Sequence, residues 1–550
     1  MRIIIIGAVA AGTSAAAKAR RNDENAEIVI YEKDSYISYS GCGMPYFIGG
    51  EITDQNILTP RSPAFFKDKY NVDIFTMHEV TEVNPDEKTV RVKSLNTGDI
   101  FEERYDRLVF ATGASAVVPP IKGVKKDHVF TLRSIGDMER ISGFLKKEKP
   151  KNAVIIGTGF IGLEMCESLV KLGISVTLIE QLPQVAPLLD SDMAVYVKEH
   201  LESKGVSVLT GTVAEEITED GVIIASGGII AADIVLTAAG IKPETALAAG
   251  IGIELSASGA IMTDKKMRTN IPSIYACGDC IQHFNLINNS PIYVPLGSTA
   301  NKTGRIAGDA ITGGDLEFRG ILGTGIFRLF DLTVARTGFS EQDAVSQGHN
   351  IAVCHNTKPS KPSYMGGSDM VIKAIADKKD GRLLGVQIVG GDGVDKRIDV
   401  FVTAITFGAK AEDLFHLDLA YAPPFSTTKD PVMYTGMILD NAINRSKPLI
   451  TSERLQEIIS SGTDYNLIDA RQTSQYQKGH IDTAISIPHE GLREAAEQFN
   501  KDIISITYCN KGTTGNAAQS ILLGRGFREV YNLSGGYKHF NQGEKVDTNE

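Results

Sequence analysis

The chain begins with an uninterrupted apolar run that is followed at once by small residues. Residues 3–6 are four isoleucines, and a short apolar run bounded by a turn is typical of a strand buried on both faces. Residues 7–12 then predict a tight glycine turn, and residues 13–21 predict a helix. Residues 27–31 form a second apolar run, which ends at Glu32. The order of strand, turn, helix and strand predicts a βαβ unit with parallel strands.

The same pattern returns in the middle of the chain. Residues 154–156 predict a buried strand, and the turn at residues 157–162 carries the full G-x-G-x-x-G pattern. A helix is expected to run from this turn to Leu172. Residues 176–179 predict the next strand, which ends at Glu180. The chain is therefore expected to hold two βαβ units of the same kind.

Both units have the spacing of a dinucleotide-binding site. Backbone amides at the start of a helix bind a pyrophosphate, and an acidic residue about twenty positions later accepts a hydrogen bond from a ribose hydroxyl. Glu32 follows Gly12 by twenty residues, although Val9 takes the place of the middle glycine in the first turn. The acid at Glu180 favours NADH, because a carboxylate there would repel the 2′-phosphate of NADPH.

Length, charge and cysteine content narrow the class of protein. A chain of 550 residues is too long for one core and predicts about three or four domains. The formal net charge of −11 argues against general nucleic-acid binding. The N-terminal apolar run is too short for a signal peptide, and no apolar stretch is long enough to span a membrane. Six cysteines in so long a chain do not form a disulfide framework, which predicts a cytoplasmic protein.

One cysteine, Cys42, lies in the distinctive segment of residues 38–46, Ser-Tyr-Ser-Gly-Cys-Gly-Met-Pro-Tyr. Pro45 suits the first turn of a helix, and a thiol at a helix N-terminus is favoured as thiolate. The position five residues before it is Ile37, so no cysteine lies there to pair with it. A lone thiolate must cycle through a mixed disulfide, a persulfide or a sulfenic acid with an external partner. The alternative is a buried structural cysteine.

Three further groups carry candidate chemistry. Residues 108–113 and 274–279 each predict an apolar strand closed by a turn of small residues, and Asp279 at the second could hold a ribityl hydroxyl. Ser14, Lys18 and Arg21 fall on one face of the first helix, which could receive phosphates or could simply be a solvated surface. A C-x-x-C pair with a nearby histidine lacks a second pair of ligands, so packing residues and no metal are expected there. The three residues of that motif are Cys277, Cys280 and His283.

The C-terminal part of the chain starts a new pattern. Residues 320–448 predict mixed strands and helices, including a hairpin of residues 368–376 and 383–389 around an Asp-Gly turn. After a linker, a strand of residues 505–508 ends at Cys509, where a loop rich in glycine and threonine leads into a helix predicted over residues 516–523. Such a loop directs backbone amides inward and can stabilise a persulfide anion. Asp469 and Arg471, which follow another predicted strand at residues 466–468, are expected to form a structural pair.

These features together resemble a known family. Residues 1–445 resemble coenzyme A disulfide reductases of the flavin disulfide reductase superfamily, and about residues 451–550 resemble a rhodanese domain. The most specific matches are residues 38–46, 301–305, 330–335 and 421–425. The resemblance implies an α/β fold with two Rossmann-like nucleotide-binding domains, an α+β dimerisation domain and a C-terminal α/β rhodanese domain. The implied boundaries are 1–115 with 246–320 for FAD, 116–245 for NAD(P)H, 321–445 for dimerisation, 446–452 for a linker and 453–550 for rhodanese.

The resemblance implies a homodimeric enzyme with FAD and NADH or NADPH, which reduces CoA disulfide, CoA persulfide or polysulfide through Cys42. Cys509 would handle sulfane sulfur, and no nucleic acid or membrane is an expected partner. Two alternatives stay open: an NADH oxidase or peroxidase that cycles a Cys42 sulfenic acid, and a non-catalytic sulfur carrier or redox sensor. The sequence departs from the family at Gly41, where asparagine is usual, at residues 358–367, and at Thr513 and Thr514, where the rhodanese loop usually has arginine.

The resemblance also assigns roles to individual residues. Tyr364 and Tyr421 of the partner subunit would reach the Cys42 sulfur, and a tyrosine hydroxyl can protonate a leaving thiolate. The residues expected to contact CoA are Ser14, Lys18, Arg21, Ser38, Asn301 and Arg305. Those expected to contact FAD or NAD(P)H are Gly7, Val9, Ala10, Gly12, Glu32, Lys33, Ala111, Thr112, Gly113, Asp279, Gly157, Gly159, Phe160, Ile161, Gly162, Glu164, Glu180 and Gly240.

Overall fold

A computed structural model describes residues 1–547. The chain divides into two compact units, and strands and helices are numbered below in chain order. The first unit comprises Met1–Pro183 and Gly205–Ile321, and the second comprises Gln184–Lys204 and the chain from Leu322 onward. Among the described residues, no helix is both long and apolar enough to cross a membrane.

The first unit contains a parallel five-stranded sheet built around the N-terminal isoleucines. These four side chains are almost completely buried, as expected of a strand with neighbours on both sides. The predicted helix begins at Ala10 and not at residue 13, because the second half of the glycine turn is already helical. In sheet order the strands are β18 (Ile274–Ala276), β7 (Arg107–Phe110), β1 (Arg2–Ile6), β2 (Glu27–Tyr31) and β3 (Asp73–Phe75).

A second parallel sheet in the same unit is formed by the other βαβ repeat. Its central strand pairs on both sides with parallel neighbours, which confirms the predicted strands at residues 154–156 and 176–179. The helix that follows the G-x-G-x-x-G turn spans Phe160–Lys171. In sheet order the strands are β12 (Ser207–Leu209), β11 (Ser175–Ile179), β10 (Asn152–Ile156), β16 (Ile234–Thr237) and β9 (Val129–Phe130).

Smaller antiparallel sheets and seven helices complete the first unit. Helix α8 (Gly297–Ile311) lies against α1 (Ala10–Asn22) so closely that a Cβ on Gly304 would clash with the carbonyl oxygen of Ala11. The short strands are β4 (His78–Asn84), β5 (Thr89–Ser94), β6 (Ile100–Arg104), β8 (Ala114–Ala116), β13 (Ala214–Ile217), β14 (Gly221–Ile224), β15 (Ile229–Ala231), β17 (Ile241–Pro243), β19 (His283–Phe284) and β20 (Pro291–Ile292). The helices are α1 (Ala10–Asn22), α2 (Met44–Ile48), α3 (Pro63–Tyr70), α4 (Ile135–Glu148), α5 (Phe160–Lys171), α7 (Ala246–Ala249) and α8 (Gly297–Ile311).

The second unit contains an antiparallel sheet that includes the predicted hairpin. The hairpin strands pair antiparallel around the Asp-Gly turn, with a register shift near their ends. In sheet order the strands are β21 (Gly325–Leu329), β22 (Leu332–Gly338), β25 (Leu383–Gly390), β24 (Asp369–Asp377) and β23 (Ile351–Pro359). The helices of this part are α6 (Ser191–Ser203), α9 (Glu341–Ser346), α10 (Val394–Thr406) and α11 (Pro431–Asn444).

Helix α6 groups with this sheet, although the predicted boundaries assign it to residues 116–245 with the NAD(P)H domain. The physical reason is a buried polar contact: Lys373 of β24 forms ion pairs with Asp190 at 3.1 Å and Asp192 at 2.9 Å. Asp190 also accepts a hydrogen bond from the Gln387 side chain at 2.7 Å. Two carboxylates at the start of α6 therefore neutralise a lysine that the sheet buries.

The C-terminal part of the second unit is a parallel five-stranded sheet between helices. Leu449 and Ile450, inside the predicted linker of residues 446–452, form a strand of this sheet because they pair with Asn532 and Leu533. In sheet order the strands are β26 (Leu449–Ile450), β30 (Val530–Leu533), β29 (Ile504–Tyr508), β27 (Tyr465–Asp469) and β28 (Ile485–Ser486). The helices are α12 (Ser452–Ser461), α13 (Thr473–Tyr476), α14 (Leu492–Ala495), α15 (Thr513–Gly524) and α16 (Gly536–Asp547).

Candidate active site

Cys42 lies in a short helical turn of residues Gly41–Gly43, directly before α2. Its side chain is exposed and its thiol is free, whereas the other five cysteines are buried. The surrounding protein raises the pKa of the Cys42 thiol from its ordinary value, and the Glu164 carboxylate raises it further. The Arg133 guanidinium lowers it by a smaller amount. Desolvation thus acts on the pKa of this thiol in the direction opposite to the one expected at a helix N-terminus, and the thiolate stays a prediction.

Helix α5 of the second nucleotide repeat holds the segment that carries Cys42. The Ser168 hydroxyl donates a hydrogen bond to the Pro45 carbonyl at 2.8 Å. The Tyr46 hydroxyl lies 3.2 Å from a Glu164 carboxylate oxygen. These contacts place Glu164 beside the thiol, where its charge acts on Cys42. The exposed cysteine is thus held by the same helix that begins at the second glycine turn.

The first glycine turn has the shape that a dinucleotide requires. Gly7 has a φ of +106°, and a Cβ there would clash with the carbonyl oxygen of Ala111. Val9 caps α1 without any side-chain hydrogen bond, so the first-turn amides stay available for a phosphate. Glu32 is buried and accepts hydrogen bonds from the backbone amides of Ala8 at 2.7 Å and Asp34 at 2.9 Å. Burial raises the pKa of this carboxyl from its ordinary value.

The second glycine turn repeats this arrangement. A Cβ on Gly157 or Gly162 would clash with backbone, whereas one on Gly159 would meet no atom within 4 Å. The turn therefore packs tightly at Gly157 and Gly162 and is open at Gly159, where a pyrophosphate would need space. The Glu180 carboxylate accepts hydrogen bonds from the Thr158 amide at 3.0 Å and hydroxyl at 2.7 Å. These residues, with Phe160 and Ile161 at the start of α5, fit the nucleotide expected at this turn.

The remaining predicted cofactor residues lie at the carboxyl ends of strands in the first unit. Ala111, Thr112 and Gly113 follow β7, and Gly240, which has a φ of +101°, follows β16. Parallel strands present their carboxyl ends at one edge of a sheet, which is where ligands bind in such folds. Lys33, directly after Glu32, has an exposed side chain.

Asp279 has a partner that the sequence did not indicate. Its carboxylate forms an ion pair with Arg133 at 2.7 Å, and the Arg133 Nε donates to the Ala114 carbonyl at 3.0 Å. The Tyr293 hydroxyl donates to the Asp279 carbonyl at 2.8 Å. Arg133 lies 146 residues away in the chain, directly before the cap of α4, and no local pattern marks it as a site residue. Its charge acts on both Asp279 and Cys42.

The predicted CoA residues lie on α1 and α8, but they are not all free to bind an anion. The Ser14 hydroxyl donates to the Asn301 side-chain oxygen at 2.7 Å. Lys18 forms an ion pair with Asp309 at 3.0 Å and is only 15% exposed, so its charge is already neutralised. Arg21 and Arg305 are exposed and form no ion pair with any side chain of residues 1–542. Ser38 has a φ of +48° and lies in the segment that leads to Cys42.

The C-x-x-C pair is fully buried. The Cys280 thiol lies 3.2 Å from the Cys277 carbonyl oxygen, and burial raises the pKa of both thiols. His283 is also buried, and neither of its ring nitrogens has a hydrogen-bond partner among the described residues. Burial lowers the pKa of His283 to about 4, so the ring is neutral at physiological pH. This arrangement is that of packing side chains.

Cys509 lies at the end of β29, in the loop that leads into α15. The helix begins at Thr513, three residues earlier than predicted, and Gly512 caps it with a φ of +90°. The Tyr537 amide donates to the Cys509 carbonyl at 2.8 Å, which fixes the first residue of the loop. Arg471 forms the expected ion pair with Asp469 at 2.5 Å and also donates to the Asn510 side chain at 3.2 Å. The pair therefore supports the loop as well as its own strand.

Tyr364 and Tyr421 lie in the second unit. Their side chains are exposed by 74% and 50% respectively. Tyr364 belongs to a short helical turn, Ser363–Met365, and Tyr421 lies in the loop before α11. Their expected approach to the Cys42 of a partner subunit stays a prediction.

Comparison with known families matches three successive parts of the chain. The family described as pyridine nucleotide-disulphide oxidoreductase matches residues 1–291, and its dimerisation domain matches residues 326–431. The chain belongs to the pyridine nucleotide-disulphide oxidoreductases. A rhodanese-like domain matches residues 451–542. The predicted fold class and enzyme class are thus confirmed, and so is the cofactor pair of FAD and NAD(P)H.

One relative and two solved structures resemble the chain over most of its length. A Pyrococcus furiosus protein named NAD(P)H sulfur oxidoreductase (CoA-dependent) is 36% identical over 80% of this chain and 99% of its own length. The structure of reduced Bacillus anthracis CoADR-RHD is 36% identical, covers 98% of both chains and has a TM-score of 0.95. The structure of an NAD-dependent persulfide reductase from A. fulgidus is 37% identical, covers 98% of this chain and all of its own, and has a TM-score of 0.90.

Proposed function

We propose that this oxidoreductase uses NADH to reduce CoA persulfide, CoA disulfide or polysulfide at Cys42, as a homodimer. The observation that carries the proposal is the state of the cysteines: Cys42 is free and exposed, and every other cysteine is buried. A reductase whose exposed cysteine has no second exposed cysteine to pair with needs an external thiol to complete each cycle. The names of the relatives support CoA as that thiol and sulfane sulfur as the substrate.

The reaction at Cys42 balances as two steps. The thiolate attacks the inner sulfur of CoA persulfide, forms a mixed disulfide with CoA and releases hydrosulfide. Two electrons and one proton then convert the mixed disulfide into the Cys42 thiolate and free CoA thiol. Bound FAD supplies the electron transfer from NADH to this sulfur. The protein holds the segment that carries the thiol through the Ser168 hydroxyl and the Pro45 carbonyl.

The residues proposed for CoA lie where the two helices α1 and α8 meet. Ser14 and Asn301 already form a hydrogen bond there, and the exposed Arg21 and Arg305 supply positive charge that no described side chain pairs with. Phosphate and pyrophosphate groups are recognised by exactly such guanidinium donors. Lys18 can contribute only if a phosphate competes with Asp309 for its ammonium group.

Replacing Cys42 by serine tests the proposal. Cys42→Ser should abolish the NADH-dependent release of sulfide from CoA persulfide, because serine cannot form the mixed disulfide. FAD should stay bound, which its absorbance reports. Cys354→Ala is a matched control, since burial raises the pKa of that thiol to about 12 and keeps it unreactive. Unchanged polysulfide reduction by Cys42→Ser would contradict the proposal.

The same assays separate the alternative functions. NADH consumption that depends on oxygen or peroxide and forms water would indicate an oxidase or peroxidase that cycles a Cys42 sulfenic acid. Absence of NADH consumption with every acceptor would indicate a sulfur carrier or redox sensor. Mass spectrometry of the thiol that copurifies on Cys42 adds a direct observation of the partner.

We assign to Cys509 the binding of sulfane sulfur. Its loop is capped by a glycine in a left-handed conformation, and the amides at the start of α15 have no side-chain cap. Amides in such a loop stabilise a persulfide anion. Cys509→Ser should leave the reduction of small CoA disulfides unchanged and slow the reduction of polysulfide or protein-bound sulfur. Equal rates of the variant and the native enzyme on all substrates would refute this role.

A further inference from the structure

Lys358 brings a positive charge to the Cys509 loop from a different domain. It lies near the end of β23 in the dimerisation domain, and its side chain is half-buried. Its Nζ donates a hydrogen bond to the Thr513 hydroxyl, the first residue of α15, at 3.3 Å. The same Nζ lies 4.1 Å from the centre of the Tyr434 ring, a cation–π distance. Two contacts thus hold the ammonium group at the mouth of the loop.

This ammonium group forms no ion pair with any carboxylate side chain of residues 1–542. The nearby carboxylate of Asp369 is occupied by two other lysines, Lys511 at 2.8 Å and Lys538 at 2.9 Å. Burial and the charge of Lys511 both lower the pKa of Lys358, while the charges of Cys509 and Asp369 act in the opposite direction. A partly desolvated cation without a counter-ion favours the approach of an anion.

The position of Lys358 matches the place where negative charge appears when Cys509 accepts sulfur. The Cys509 thiolate attacks a terminal sulfur of inorganic polysulfide, forms a Cys509 persulfide and releases a polysulfide shorter by one sulfur. Both the incoming polysulfide and the outer sulfur of the persulfide are anions. The amides at the start of α15 have no side-chain cap, and Lys358 reaches the same helix end through its hydrogen bond to Thr513.

We propose that Lys358 is a substrate-binding residue of the Cys509 site, whose ammonium group binds the anionic sulfur of polysulfide and of the Cys509 persulfide. The proposal rests on the proposed role of Cys509 in sulfur transfer. It implies that the site is shared between two domains, since a rhodanese domain of residues 453–550 alone would lack this charge. The proposed ligand class is an anionic sulfane-sulfur chain.

The test uses the full-length holoenzyme with the substitution Lys358→Met, which keeps the length of the side chain and removes its charge. Persulfide formation on Cys509 by inorganic polysulfide is followed by mass spectrometry of the peptide that contains it. The rate should fall about tenfold, and its dependence on ionic strength should weaken. Lys358→Arg should restore most of the rate. Lys361→Met is the matched control, because Lys361 already pairs with Asp392 at 2.9 Å.

A second measurement separates this proposal from the role of Cys509 itself. Alkylation of Cys509 by anionic iodoacetate should slow about tenfold in Lys358→Met, whereas alkylation by neutral iodoacetamide should change little. Equal effects on both reagents, or none on either, would overturn the proposal. If native Cys509 takes up no sulfur, the proposed sulfur transfer fails, yet the two alkylation rates still decide whether Lys358 attracts anions to this thiol.

Discussion

The most specific prediction of stability concerns His539 of α16. This residue belongs to a histidine cluster in which the buried His355, His539 and Lys373 contact the partly buried Asp192 and Tyr196. The His539 ring stacks on His355 with 4.0 Å between ring centres, and its Nδ1 lies 2.8 Å from the Tyr196 hydroxyl. Asp192 hydrogen-bonds to His355 at 2.8 Å and to Lys373 at 2.9 Å. The cluster joins the C-terminal domain to the dimerisation sheet and α6.

The pKa of His539 lies well below its ordinary value. Burial is the largest cause, and the charges of His355 and Lys373 lower it further, while Asp192 opposes them. The folded protein therefore keeps this ring neutral, whereas the unfolded chain binds a proton below about pH 6.5. The contribution of the neutral His539 ring to the free energy of unfolding is fully present above that pH and is lost as the pH falls below it. Between pH 7.5 and pH 5 the pKa of the unfolded chain sets the upper limit of this loss at about 2 kcal/mol, or roughly thirtyfold in the opening equilibrium.

Hydrogen exchange at residues 532–547 measures this loss. Protection of these amides, corrected for the intrinsic rate at each pH, should fall by up to about thirtyfold over that range. His539→Gln keeps an acceptor for Tyr196 and cannot be protonated, so the pH dependence should disappear. A local readout is needed because the buried His283 of the first unit also destabilises at low pH. If His539→Gln shows the same pH dependence as the native chain, the reasoning is refuted.

Two further predictions concern buried charges. Asp430→Asn should lower the free energy of unfolding, measured by denaturant titration, by about 3–5 kcal/mol. The substitution leaves the buried Arg397 guanidinium without the carboxylate that lies 2.8 Å from it in the native protein. An unchanged midpoint of the titration would contradict this prediction. Glu180→Gln should reduce the ratio of kcat/KM for NADH to kcat/KM for NADPH about tenfold, because it removes the negative charge expected to repel a 2′-phosphate. An unchanged ratio would show that Glu180 does not select the cofactor.

The elements that the sequence predicts well are those whose signal is local. Apolar runs and glycine turns predict both βαβ repeats and the antiparallel hairpin, and the structure confirms these elements. The starts of α1 and α15 are each missed by three residues. Both helices begin inside glycine-rich turns without a side-chain cap, so the sequence offers no residue type that marks where the helical conformation starts.

Ion pairs between residues that lie far apart in the sequence could not be predicted from it. Lys18 reads as an exposed cation on a helix face, yet Asp309 of a different helix neutralises it. Arg133 carries no motif, yet it pairs with Asp279 and acts on Cys42. Such pairs depend on which surfaces meet in three dimensions, and no spacing along the chain encodes them. They decide which of the predicted site residues have charge to offer a ligand.

Cys42 shows how charges from distant parts of the sequence change the reactivity of a predicted site residue. A helix N-terminus argues for a thiolate, but α2 is only five residues long, and the protein around the thiol disfavours the charged form. Glu164 adds a second negative charge nearby, and the opposing Arg133 is shared with Asp279. Because only the thiolate attacks a disulfide or persulfide, the protein alone leaves Cys42 less reactive than its position suggests. The proposed reaction needs a charge beside Cys42 that favours its thiolate, and Arg133 is a cation of this chain that acts in that direction.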